Sequence, residues 1–515
     1  MQALKELVYV VNKSKLRGID LLGFPFADDA KLNELYESIS SGEVDSDDLA
    51  ADRLFGTDAG EINYRKLKAD LTHRLVNALF LIDVKQPSYN QRQRAYQESY
   101  KNWAAVRLLF GKNARTAGVY LAEKVLKYGE SFEFTNLCLE VCRTLRLHYG
   151  AMVGDEKQYQ VYNEKFHFYR ELDYAESTAE AYYCELVIRH VKSRALKKNI
   201  PTLAQQYYND LKPGLEKWES HDLHLYANLI KLIIYTSVNN YQKAIQVCEE
   251  AILFFEKKTF DARVPLQAFY YQQAICYIQL RQLNKQLFSN AKALKFLDEG
   301  TYNWYKFQET YVILGLHTQH YQWAYEIFSK AYQHKRFQFL PPDQQEYWKI
   351  LEQYLHYLFL NNKIKINHQE ASFSRLRLGR FLNQTPIFSK DKKGLNIPIL
   401  IIQILFLVQQ NRRSQTTDRI DAIEKYSERY LHNEYTIRSY FFIKMLLALP
   451  KNQFHPVAVQ RKAQPYFDQL RKRSLEVSSQ YFQVEIIPFE DLWEMVIQYL
   501  EKQLQKANKK KKDTN

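Results

Sequence analysis

The sequence predicts an all-α protein, a right-handed solenoid of helical hairpins. Three observations lead there. The 515 residues include only 15 Gly and 13 Pro, and so few chain breakers suit long helices joined by short turns. Apolar residues recur at helical spacing through most of the chain, as in Leu67, Leu71, Leu75, Leu79 and Ile82. A hairpin pattern also repeats between Asp222 and Ala331, and such self-similarity marks a helical array.

The repeat is carried by small residues at fixed offsets. Tyr235, Ala244 and Ala251 are spaced by nine and seven; so are Tyr277, Gln286 and Ala293, and Gly315, Ala324 and Ala331. The middle positions lie 42 and then 38 residues apart. Phe406, Gln415 and Ala422 reproduce the spacing later in the chain. Small side chains two turns apart let helix backbones approach to about 8–10 Å. Aromatic residues, 15% of the chain, fill the flanking gaps.

Taken in order, Met1–Leu22 reads as an amphipathic helix that Gly23 and Pro25 break. Residues 1–61 form an N-terminal helix and acidic segment, with short helices at Lys31–Ile39 and Asp47–Leu54. Asp45, Ser46, Asp47 and Asp48 offer a cap and first-turn carboxylates to the second. The segment reads as a mobile arm, a cover for a basic surface or a solvated loop. Residues 62–220 hold divergent hairpins, opening with a helix from Ile62 to Val84. Further helices follow at Tyr96–Phe110, Ala114–Tyr128, Phe132–Tyr149, Glu156–Leu172, Ala175–Leu196 and Leu203–Leu211. The clear repeats occupy 221–360 and close with Asp343–Leu360. Residues 361–394 are a basic, irregular connection. Hairpins resume over 395–507 and end in the helix Phe489–Ala507. The Lys-rich tail, 508–515, is too polar to pack and is expected to be disordered.

Charge narrows the reading only partly. The net charge is +14, yet residues 1–62 carry −7, which leaves +21 on the rest. A basic body suits nucleic acid, an anionic membrane or an acidic protein, or it only keeps the chain soluble. Five scattered cysteines suggest reduced core residues rather than a disulfide framework. The apolar run Ile397–Val408 is too short for the roughly 20 residues that span a bilayer. The start of the chain lacks the apolar core of a signal peptide. A soluble, cytoplasmic protein is expected.

The spacing of the small residues resembles the tetratricopeptide repeat family, over about half the chain. In that family a small residue sits at two contact points of the second helix. The matching positions are Ala244/Ala251, Gln286/Ala293, Ala324/Ala331 and Gln415/Ala422, with Tyr235 and Tyr277 at the aromatic position of the first helix. The periods are longer than the family's, its Trp and Leu-Gly positions are absent, and two of the small positions hold Gln. A degenerate member or a two-helix look-alike, HEAT-like or otherwise, is implied.

No catalytic constellation is evident. Cys138 and Cys142 share a helical face, but structural zinc wants four ligands. The pairs His221/His224 and His317/His320 likewise fall short of a selective metal site. "FGKN" at Phe110–Asn113 lacks the upstream glycine and the hydroxyl of a phosphate loop. No enzyme, cofactor or metal is expected. The function read from the sequence is a non-catalytic scaffold or adaptor that binds a peptide or helix of a protein partner in a groove. In the tetratricopeptide family the first helices line that groove. This points to Tyr226, Leu229, Ile233, Tyr271, Ile275, Lys306, Glu309 and Ile313. The alternative is a nucleic-acid binder using Arg375, Arg377, Arg380, Lys390, Lys392 and Lys393, where interleaved Phe side chains could stack on bases. That binding is expected to be weak and without sequence preference. A ligand-sensing regulatory protein is the third reading.

Overall fold

A computed structural model describes residues 1–13, 30–82, 90–192, 199–280, 297–365, 396–430, 437–473 and 485–512. Every regular element among them is helical, so the fold is all-α. The chain divides into two units, Met1–Asp173 and Tyr174–Asn515.

In the first unit, α1 (Gln2–Lys13), α2 (Ala30–Ser41), α3 (Asp47–Phe55) and α4 (Ile62–Leu79) pack together. Ser46 caps α3 by accepting from the Leu49 amide, and Asp47 and Asp48 occupy its first turn. Leu32, Leu35, Ile39, Ala50 and Leu54 share one apolar cluster with Tyr64, Leu71 and Leu75 of α4. The acidic helices are therefore packed onto α4 rather than forming a solvated loop ahead of it. Their short apolar stripes suffice because α4 offers a complementary face.

The hairpins follow with α5 (Gln91–Gly111), α6 (Arg115–Phe132) and α7 (Thr135–Leu147), which ends in a π-helical turn, His148–Val153. Asn90 and Gln93 form a capping box at the start of α5. Helix α8 runs unbroken from Glu156 to Lys192. The sequence reading divides this stretch at Asp173–Tyr174, but neither Gly nor Pro is there to stop the helix. Its residues to Asp173 belong to the first unit and the remainder to the second.

The second unit continues with α9 (Ile200–Lys217), α10 (His221–Thr236), α11 (Tyr241–Glu256), α12 (Arg263–Gln279), α13 (Tyr302–His317), α14 (Tyr321–Tyr332), α15 (Pro342–Leu360), α16 (Asn396–Gln409), α17 (Arg413–Tyr430), α18 (Ile437–Lys451), α19 (Pro456–Arg471) and α20 (Phe489–Lys512). Consecutive helices pack against one another, and α12 also meets α13 as α15 meets α16. The last helix extends past Ala507, where the sequence reading ends it.

The repeat spacing has a clear steric meaning at α13/α14. A Cβ added to Gly315 would lie only 2.8 Å from the Ala324 Cβ. Ala244, Ala251, Ala324 and Ala331 are all buried. Gln286 and Ala293 lie outside the described residues. The fourth match is out of register: Gln415 and Ala422 are exposed, while Thr416 and Ile423, one residue on, are buried. Rotation by one residue, about 100°, places that pair on the packed face of α17.

Two kinds of helix alternate from α11 onward. Helices α11, α14, α17 and α19 bury a single stripe. Helices α12, α13, α15, α16 and α18 are buried on all sides. This explains the uniformly apolar run Ile397–Val408, because a helix enclosed all round has no face to keep polar. No helix among the described residues is long and apolar enough to cross a membrane.

Candidate partner-binding face

The residues expected to line a groove separate into two groups. Ile233, Lys306, Glu309 and Ile313 are buried. Tyr226, Leu229, Tyr271 and Ile275 are partly exposed. Periodicity selected all eight equally, because it finds one face of a helix and cannot show what covers it. Around α13 every face is occupied, so the three predicted residues there are packing residues.

Lys306 and Glu309 form an ion pair of 2.7 Å, with side chains only 8% and 7% exposed. Burial pulls the Lys306 ammonium downward, but the neighbouring Glu309 more than offsets this, and its pKa is raised. The Oε2 atom of Glu309 is buried without a hydrogen-bond partner among the described residues. These groups hold each other and are not presented to a partner.

The partly exposed face begins on α8. Tyr182 and Tyr207 stack with ring centroids 3.9 Å apart, and the Tyr207 hydroxyl donates to Glu185 at 2.6 Å. Tyr183 lies 5.8 Å from Tyr226. Burial pushes the Tyr226 phenol up to about 12, helped by Glu180. Beneath these rings Leu186, Ala204, Leu223, Ala227 and Ile230 form the enclosed core. The tyrosines are thus held by packing below while part of each ring faces solvent. Ile188 is also exposed on α8. Helix α11 packs on both α10 and α12, and α12 contributes Tyr271 and Ile275. Sequence reasoning missed Tyr183 and Ile188, although the Tyr182–Tyr183 doublet was a usable signal.

Another feature missed in the sequence is the buried guanidinium of Arg438. It donates to Glu485 through Nε at 2.9 Å and Nη2 at 2.6 Å, and to Glu490 at 2.7 Å. Its Nη1 reaches the carbonyls of Leu470 at 2.6 Å and Arg473 at 3.0 Å. Glu485 also accepts from the Phe489 amide, and its backbone carbonyl meets His317 Nε2 at 2.7 Å. Gln319 donates to Asp491 at 3.0 Å. This network ties the end of α13 to the start of α20, far along the chain. A single cation inside the apolar stretch of α18 was its only trace in the sequence.

The other sequence candidates serve local packing. Cys138 and Cys142 are buried, and burial raises both thiols, Cys142 to about 12. His221 contacts Asp222, His224 meets the Trp218 carbonyl, and His320 meets Thr318. No group of three or more His, Cys, Asp or Glu that could hold a metal occurs among the described residues. Arg375, Arg377, Arg380, Lys390, Lys392 and Lys393 lie outside those residues.

Comparison with protein-family models gives no match for the chain. Comparison with curated proteins gives none either.

Proposed function

We propose that the protein is a non-catalytic binding scaffold, holding an apolar or aromatic segment of another protein against α8, α10 and α12. One observation carries this reading. Partly exposed Tyr183, Tyr226, Leu229, Tyr271 and Ile275 lie on first helices of neighbouring hairpins, anchored on a closed core. Rigid aromatic side chains bind at low entropic cost, because little of their freedom remains to be lost. In this proposal the hairpins wind as a tetratricopeptide-like array. The contact between α13 and α20 supports a tight turn whose interior is filled, so the groove is restricted to the earlier hairpins.

The test is co-purification from native lysate, with and without nuclease, using the full chain and a Tyr226→Ser/Leu229→Ser variant. The reading expects a defined protein partner that survives nuclease and is lost in the variant at unchanged thermal midpoint. Retention by the variant would refute this face. A partner lost on nuclease treatment would transfer the function to the nucleic-acid reading.

A further inference from the structure

We propose a small-molecule site for an organic phosphate in the cleft between the α16–α17 turn, the α18–α19 turn and α20. The cleft encloses about 290 Å³. One side is cationic, formed by Arg412, Arg413 and His455, and no carboxylate lines the cleft. Arg412 donates to Gln415 at 3.4 Å and Arg413 to Asn411 at 3.3 Å, both neutral acceptors. The Arg413 guanidinium lies 5.5 Å from the Phe454 ring centre. Two neighbouring guanidinium groups without a counter-charge repel each other, and a dianion between them would reverse that term.

The other side is apolar, with Tyr499 and Leu504 prominent. The Tyr499 hydroxyl donates to the Gln409 carbonyl at 2.7 Å, which fixes its ring as part of the wall. Helices α17 and α19 both begin at the cleft, so their positive ends add to the side-chain charge. A cationic wall facing an apolar one selects a ligand with both characters. Phosphate fits the cationic half better than carboxylate, because its tetrahedral oxygens can accept from two guanidinium groups at once. The volume lies near the lower limit for ligand pockets, which restricts the organic part to about one ring.

Calorimetric titration of the full chain tests this with phenyl phosphate, inorganic phosphate, phenol and benzoate. Phenyl phosphate should bind at least about tenfold more tightly than each of the other three. Arg412→Ala/Arg413→Ala should weaken it by about tenfold or more, whereas the remote, exposed Arg143→Ala should not. Leu504→Trp, which fills the apolar half and keeps both arginines, should also abolish binding. Absence of phenyl phosphate binding at about 10 mM, or equal binding by the double arginine variant, overturns the site. Benzoate binding as tightly as phenyl phosphate overturns the assignment to phosphate.

Discussion

Replacing Gly315 by Ala tests whether the nine-residue offset is a real helix contact. Two effects oppose each other. Alanine in a helix interior gains about 1 kcal/mol over glycine. Against that, the new Cβ would stand 2.8 Å from the Ala324 Cβ, 3.1 Å from the Trp323 ring and 3.2 Å from the Ala324 Cα. The last of these is backbone, so no side-chain rotation relieves it and α14 must move. Overpacking of this kind costs about 1–3 kcal/mol. The expected net effect is destabilisation by about 1 kcal/mol, from the difference of those terms. Ala324→Gly restores room and should partly rescue Gly315→Ala. The double variant should then be more stable than the two single changes predict by about 1–2 kcal/mol. Urea unfolding of all four proteins, followed by tryptophan fluorescence, measures this. A raised midpoint for Gly315→Ala, or strict additivity in the double variant, would refute the contact.

Other outcomes follow from the buried polar groups and thiols. Arg438→Met should cost about 3–5 kcal/mol because it strands the fully buried Glu485. Adding Glu485→Gln should recover part of this, and an unchanged urea midpoint in the single variant would contradict the network. Gln403 is fully buried, and neither of its side-chain amide atoms has a hydrogen-bond partner. Gln403→Met should therefore raise stability by about 1–2 kcal/mol; a lowered thermal midpoint would show that the amide is satisfied. Cys184 is exposed and the other four cysteines are buried. A thiol reagent should label Cys184 rapidly in the native protein and the rest only after denaturation, and mass spectrometry of the adducts decides. For Asp47, burial acts to raise the carboxyl, but hydrogen bonds from Lys68 and Tyr64, both at 2.6 Å, hold it well below the usual range. Its contribution to stability is present above the unfolded value near pH 4 and is lost as pH falls through the depressed folded value. Asp47→Asn should consequently lower the urea midpoint at pH 7 more than at pH 3, and equal losses would exclude the linkage.

The sequence by itself determined that the chain is helical and where most hairpins turn. Chain-breaking residues and helical periodicity act locally, so they can be read without knowing what lies opposite. The Gly315/Ala324 spacing was legible for the same reason: a short turn fixes which residues of two joined helices meet. Tertiary structure alone decided which faces were covered. Lys306 and Glu309 have the spacing of exposed groove residues, but enclosure of α13 turns them into a buried pair. Likewise, an isolated cation in α18 gave no sign that Glu485 would meet it, because that contact closes over 47 residues. The sites for partners depend on this difference. Local rules place a side chain on a helix face, and only packing between distant segments determines whether that face meets solvent.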